Sequence, residues 1–457
     1  METLYSVRLE GLAANPSAPE DILLRILEHA EHRIRAALVH RAGVPDAVYD
    51  AITRHPDPRT RRLLTMDGRV PAGLRARLAA DPDPTVRMAV AWGPDVRWDR
   101  AEPLPPETVA RLAADPDSRV RHALCELAAL PADVRAGLAA DPDPAVRRNA
   151  LQLWRDPPPE AVDAALDDPD PDVRRQAMLH GYRRHPELVA PLLAEGCEGV
   201  AADAVLDRAQ AAALCRHERA GMRAAAAANP SLPPDLVAVL AADPAAEVRL
   251  AVSLRPELTE AERAAIDYRI GPRDRPRPPP WFRDRLGDAE LLRRCATSAH
   301  VGLRRLAAHS PHLPADLVTL LAADGDFTVR ALLAEHHPGA PGELLLAVTL
   351  ESRHPARFER LGHPNFPHAG LARLAGSPDP VARMLAIRDP AASAEVVERL
   401  SRDGEPRVRA AAAGDARLPV ARLLELLDDP AAARSAAGNP GLPEPSMRRI
   451  LYDVAIL

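Results

Sequence analysis

The chain contains no lysine, so all 59 of its basic residues are arginine. Aromatic residues make up only 3% of its 457 residues, and Ala and Leu carry most of a hydrophobic content of 47%. Such small side chains suit short helices stacked closely together. The four cysteines, Cys125, Cys197, Cys215 and Cys295, are too few and too scattered for a disulfide framework, which points to the cytoplasm. No stretch approaches the roughly 18 uncharged apolar residues of a membrane span, and the opening METLYSVRLEGLAANP has no apolar core of a signal peptide. A basic balance is also missing: the net charge is −6 and the pI about 6.3, which weighs against a nucleic-acid partner. No Walker loop, dinucleotide-binding glycine fingerprint, H-E-x-x-H or G-x-S-x-G run occurs. The acidic residues fall at caps and turns. No catalytic group, cofactor or metal is expected.

What is present is a repeat. The 49 prolines are not scattered but recur at fixed places. An apolar residue followed by Arg returns at Ile34-Arg35, Val120-Arg121, Val146-Arg147, Met222-Arg223, Val248-Arg249, Leu303-Arg304, Val329-Arg330 and Val408-Arg409, with 26 the commonest interval. A fixed period of 20 to 50 residues is the signature of a solenoid, which grows by stacking and has no single globular core. Three residues before the anchor stands Asp (Asp57, Asp83, Asp117, Asp143, Asp170, Asp326, Asp379), often followed by Pro. Asp is a strong N-cap and Pro is favoured at the first helical position, so a first helix starts there. It stops at pairs such as Asn15-Pro16, Gly93-Pro94, Asn229-Pro230 and Asn439-Pro440, because the residue before Pro is pushed out of the helical region. A second Pro, at Pro45, Pro71, Pro131, Pro157, Pro233, Pro314, Pro367, Pro419 and Pro443, opens a second helix, with Thr259 and Ser393 in its place elsewhere. Apolar pairs four apart, Leu236 and Leu240 or Leu317 and Leu321, then mark one buried face. Helices this short persist only by packing on their neighbours.

The run V-R-x-A-h-A-x-N-P-x-L-P-x-x-L-h-x-x-L-A-x-D-P, clearest from Met222 to Pro244, resembles the leucine-rich repeat variant family and, more loosely, HEAT-like repeats. The resemblance covers nearly the whole chain. It implies an all-α, right-handed superhelix of about 16–17 repeats of ~26 residues, alternating short α and 3₁₀ helices without β-sheet, and no single activity. The iron–sulfur centre of one founding member does not carry over, because no Cys precedes Cys125.

The rhythm divides the chain into repeats over 1–254, an irregular Pro/Arg-rich break over 255–300 and repeats over 301–457, read as one continuous solenoid. Repeats are interrupted by an insertion near 94–106, which contains Trp98, and blur over 181–220. Length variation in a solenoid maps to loops on one face, often the binding face. The break carries Arg273, Arg275, Arg277 and Arg283 around Trp281 and Phe282, residue types enriched at interface hot spots. These residues and Trp98 are the candidate partner contacts. The bland reading of the break is a degenerate repeat whose two aromatics plug the core. The Arg after each anchor is read as a ladder, paired with the capping Asp of its own or a neighbouring repeat and worth at most about 1 kcal/mol per pair if partly exposed. The alternative is a stacked row that binds acidic peptide or phosphate. His337 and His363 fill the helix-stop slot and are read as structural, and the apolar C-terminal YDVAIL as closing the last repeat. The functional expectation is a non-enzymatic scaffold for a protein or peptide partner. A nucleic-acid-binding or DNA-repair module is the alternative, and an enzyme with a pocket near 181–300 the third reading.

Overall fold

The computed structural model describes residues 4–94, 101–127 and 130–452, and among the described residues there is no strand. Short helices follow one another in consecutive repeats, so the chain is an all-helical α-solenoid. It falls into two compact units: Met1–Trp154 together with His368–Leu457, and Arg155–Pro367.

Each repeat begins as its punctuation dictates. Asp57, Asp83, Asp143 and Asp379 are N-caps followed by Pro at the first helical position, and their carboxylates accept the N–H groups of Arg59, Thr85, Ala145 and Val381 at 2.7–3.0 Å. One orphan donor is thereby satisfied, and the proline removes another. In the second helices Pro sits one residue earlier, as the cap itself, at Pro45, Pro71, Pro131, Pro233 and Pro314. Where proline is missing, Thr259 and Ser393 cap with their hydroxyls, Thr259 in a capping box with Glu262.

The 3₁₀ segments, Leu78–Ala80, Pro186–Leu188, Pro355–Gly362 and Leu371–Gly376, do not alternate with α-helices along the chain. Elsewhere both helices of a repeat are α-helical. The capping proline's carbonyl is shared at the helix start: Pro233 O accepts Leu236 N–H and Val237 N–H, both at 3.0 Å, and Pro314 O accepts Leu317 N–H at 2.9 Å and Val318 N–H at 3.0 Å, so the first turn is mixed and the α pattern takes over beyond it.

Burial follows the repeat. The anchors Val86, Val120, Val146, Met222, Val248, Val329 and Val408 are 0% exposed. In the second helices Ile52, Leu138, Leu240 and Leu321 are buried, whereas Leu236, four residues before Leu240, is only partly covered. In the unit 155–367 a cluster of buried residues extends from Val189 to Ile266.

Repeats are also tied by the helix-stop slot. Asn229 Nδ2 donates to Ala201 O and Ala204 O, both at 2.8 Å, while its Oδ1 accepts Ser231 N–H at 2.8 Å. Asn439 repeats this on Ala413 O and Asp415 O at 2.7 Å. His337 and His363 act as asparagine does: Nδ1 accepts the N–H two residues on, at 3.0 and 3.1 Å, and Nε2 faces the preceding repeat's Leu313 O or His337 O at 3.3 Å.

In the unit formed by 1–154 and 368–457 the two ends of the chain meet through this same device. Asn15 Nδ2 donates to Ala437 O at 2.9 Å and Asn439 O at 2.7 Å, across more than 420 residues of sequence. Helix Leu4–Ala14 thus lies on helix Ala433–Ala437 as one first helix lies on the previous one. The approach is close enough that a Cβ on Gly11 would stand 2.1 Å from Arg434 O. The buried Glu10 carboxylate sits between Arg33 at 3.0 Å and Arg434 at 2.6 Å. Arg8 donates to Leu427 O at 2.7 Å, and Arg448 pairs with Asp21 at 2.8 Å. Closing of the last repeat was expected of YDVAIL; residues 453–457 lie outside the described residues, and it is the N-terminal helix that covers helix Ala433–Ala437.

Two tests follow from this packing. Leu240→Ala and Leu321→Ala are each expected to cost about 2–5 kcal/mol in urea denaturation, whereas Leu320→Ala, on the exposed side of the same helix, stays within about 0.5 kcal/mol. Gly11→Ala adds about 1 kcal/mol of helix propensity in an isolated helix. Here it is expected instead to lower amide-exchange protection in Ala433–Ala437 and Glu444–Tyr452; protection unchanged or increased there would contradict the contact.

Candidate partner-binding surfaces

The row of arginines is fully engaged wherever the repeat is regular. The Nε of Arg61, Arg87, Arg121, Arg223, Arg304, Arg383 and Arg409 donates to Asp81, Asp115, Asp141, Asp243, Asp324, Asp403 and Asp429 at 2.6–2.8 Å. The Nη1 of each reaches the carbonyl six residues earlier, at 2.7–3.0 Å. The ladder expected from the sequence therefore exists, but in these seven repeats the capping Asp is not its partner; the anchor arginine Arg35 does lie against a cap, Asp57, at 3.7 Å. The partner lies at the end of the second helix, two residues before the next cap. The cap carboxylate is already taken by backbone N–H groups at its own helix start.

Six of these seven Asp residues, all but Asp429, join two repeats. Asp81 accepts the guanidinium of Arg61 with its carboxylate and that of Arg87 with its backbone carbonyl. Asp115 does so for Arg87 and Arg121, and Asp141 for Arg121 and Arg147. The carboxylates also accept the N–H of the following cap residue, as from Asp83, Asp117 and Asp143 at 2.8–2.9 Å. The insertion near 94–106 does not disturb this: Arg87 and Asp115 are 28 residues apart instead of 20, and the fork still closes. The forks are more deeply buried than expected, with Arg61 and Asp81 side chains 10% and 3% exposed, so the expected ceiling of about 1 kcal/mol does not apply to them. Hydrogen bonds from Arg223, Arg383 and Arg409 hold the carboxyls of Asp243, Asp403 and Asp429 below the usual carboxylate range.

The break over 255–300 is tied to the helices that follow it. Arg305, 1% exposed, donates to Gly271 O at 2.8 Å and Asp274 O at 2.7 Å and forks onto Asp326. Thr328 Oγ1 donates to Pro272 O at 2.7 Å. Trp281 and Phe282 are 8% and 0% exposed and pack edge to face, so their rings fill the core and are not offered to a partner. Arg275 is held by Glu335 at 2.6 and 3.1 Å. Arg273, Arg277 and Arg283 are exposed. Trp98 lies outside the described residues. The sequence candidates are thus divided: two in the core, one in an ion pair, three on the surface.

Over 181–220, where repeats blur, the fork persists: Arg183 grips Asp203 at 2.7 and 2.8 Å, again 20 residues on. The chemistry-bearing side chains there are already occupied. His217 Nδ1 accepts Arg219 N–H at 3.1 Å, Cys197 Sγ accepts Arg175 Nη2 at 3.4 Å, and burial pushes the Cys215 thiol up. Nearer the break, burial pushes His300 down to about 4, and this neutral ring caps a helix by accepting Gly302 N–H at 3.0 Å. Among the described residues no group of three or more His, Cys, Asp or Glu could hold a metal ion. No helix among them is long and apolar enough to cross a membrane.

An open site lies elsewhere, across three successive first helices: Pro84–Trp92, Ser118–Leu124 and Pro144–Gln152. A cavity of about 510 Å³ runs between them, lined by Met88, Ala123 and Val146, with Trp92, Glu126 and Asp143 among its polar and aromatic residues. Trp92 is 59% exposed. Its helix ends at Gly93, whose φ of 77° turns the chain away directly after the indole. The sequence reading passed over Trp92 in favour of Trp98. The available signal was a tryptophan in the last position of a first helix, where the neighbouring repeats carry Glu126 and Gln152.

Comparison with known proteins finds no family model and no curated sequence that matches this chain.

Removing one member of a buried fork leaves a charge without its partner, so Arg121→Ala is expected to cost about 3–5 kcal/mol. Arg121→Lys, which keeps the charge but cannot fork, recovers less than half of that loss. Equal stability of the Lys variant and the wild type in urea would show that charge alone suffices.

Proposed function

We propose that this chain is a non-enzymatic scaffold in the cytoplasm that presents a helical-repeat surface to a protein or peptide partner. The observation that supports this most is Trp92, an indole 59% exposed on the wall of a 510 Å³ groove, in a chain where only 3% of residues are aromatic. A large aromatic beside an open cavity is the residue type that anchors interfaces. The resemblance to leucine-rich repeat variant and HEAT-like proteins belongs to the same proposal, since such repeats offer extended binding faces.

The nucleic-acid reading drew on the abundance of arginine. The regular arginines are engaged by carboxylates and carbonyls, and the net charge is −6, so no observation favours that reading over a peptide partner. Selection of random displayed peptides on the purified protein tests the proposal. Convergent sequences whose binding is lost with Trp92→Ala are expected. Failure of the selection to converge, or convergence that ignores Trp92, would count against the scaffold reading at this groove.

A further inference from the structure

We propose that the Trp92 groove receives the cationic side chain of a basic peptide, an arginine or a lysine; this rests on the scaffold reading and specifies what the scaffold recognises. The argument begins with register. Trp92 and Glu126 each lie six residues past their anchors, Val86 and Val120; Trp92 is the last residue of helix Pro84–Trp92, and Glu126 stands in the turn just after helix Ser118–Leu124. Both line the same cavity of about 510 Å³, which has room for one flat or rounded cation. A third group, Asp143, closes the site from the next helix start.

The charges on the wall do not cancel. The one arginine of the lining, Arg119, is turned onto Asp117, with Nη2 at 2.7 Å and Nε at 3.1 Å. Glu126 is exposed and has no ion pair among the described residues. Asp143 accepts Ala145 N–H at 2.9 Å and a hydrogen bond from Ser118, which together with the nearby charge of Arg121 keep it ionised, while the Arg121 fork itself closes on Asp141. His122 also lines the cavity. Two carboxylates therefore line the cavity together with an indole, and Met88 and Ala123 supply apolar surface there.

This combination matches a long basic side chain. The methylene stem rests on the apolar surface, the cation meets the face of Trp92, and the carboxylates take its N–H donors. A phosphate or an acidic peptide would bring its charge against Glu126 and Asp143, and the whole-chain charge of −6 repels both at longer range. A purely apolar side chain would leave the carboxylates without a function at the site.

The test is fluorine NMR of protein carrying 5-fluorotryptophan at Trp92, Trp98, Trp154 and Trp281, the resonance lost in Trp92→Phe being that of Trp92. N-acetylargininamide, N-acetylleucinamide and the amide of N-acetylglutamate are titrated separately. The arginine derivative is expected to shift the Trp92 signal saturably, and the glutamate derivative to leave it in place. Glu126→Gln should weaken the arginine response by about fivefold, the equivalent of ~1 kcal/mol. Glu107→Gln, an exposed carboxylate outside the groove, should not change it. An equal response to leucine and arginine derivatives would overturn the cationic assignment while leaving the groove as a docking site. A response to none of the three would also overturn it, with peptide selection remaining the separate judge of the scaffold reading. An arginine response indifferent to Glu126→Gln would remove the carboxylate from the account and overturn it as well.

Discussion

The arginine fork is the constraint on which the rest of the structure depends. Helices of two or three turns have no stability of their own, and nonpolar contact alone allows neighbouring repeats to slide or rotate. Each fork removes that freedom. The guanidinium is planar and its donors have fixed directions, so a carboxylate and a carbonyl can satisfy it only in one relative placement. Because Asp81, Asp115 and Asp141 each hold one arginine by the side chain and the next by the backbone, placement is handed on from repeat to repeat. The insertion between Arg87 and Asp115 shows the consequence: with 28 residues between them in place of 20 the fork still closes, and the register on either side is kept. Buried ion pairs of this kind are weak evidence for stability as such, and their best-attested role is to specify register.

The same economy appears where the chain's ends meet. A terminal repeat exposes an apolar face, and solenoids usually cover it with a polar capping repeat. In the unit built from 1–154 and 368–457, the N-terminal helix covers helix Ala433–Ala437 instead. The contact repeats the ordinary repeat-to-repeat bond, with Asn15 bonding to the 437–439 stop as Asn439 bonds to the 413–415 stop. Gly11 permits the close crossing, and Glu10 between Arg33 and Arg434 fixes its electrostatics. A substitution near residue 11 is thereby coupled to helices more than 400 residues away in sequence.

Much of this was legible locally. Asp57, Asp83 and Asp143 cap where Asp-Pro stands, Thr259 and Ser393 cap where proline is missing, and the anchors are buried, because each of these depends on a few neighbouring residues. The partner of each arginine was not legible. Two aspartates, two residues apart, compete for it, and the choice is made by which of them the backbone has already occupied. The end-to-end contact was hidden for a different reason: Asn15 has the sequence of any helix stop, and nothing nearby tells whose carbonyl it meets. Composition left Trp281 and Phe282 two readings, a partner contact or a plug in the core, and only their burial decides for the core. Trp92 was overlooked because exposure depends on the end of its helix, where Gly93 turns the chain aside.

Function on this account is what the ladder leaves over. Regular arginines and aspartates satisfy one another, and the proposed recognition uses positions where the pattern places a different residue, as at Trp92 and Glu126. The measurement that tests the central claim most directly is a double-mutant cycle on Arg223 and Asp243, read by urea denaturation of Arg223→Met, Asp243→Leu and the pair. The account predicts a coupling of about 1.5 kcal/mol or more, with the double variant more stable than the sum of the single losses implies. A coupling within about 0.3–0.5 kcal/mol of zero, the scatter of independent sites, would contradict it.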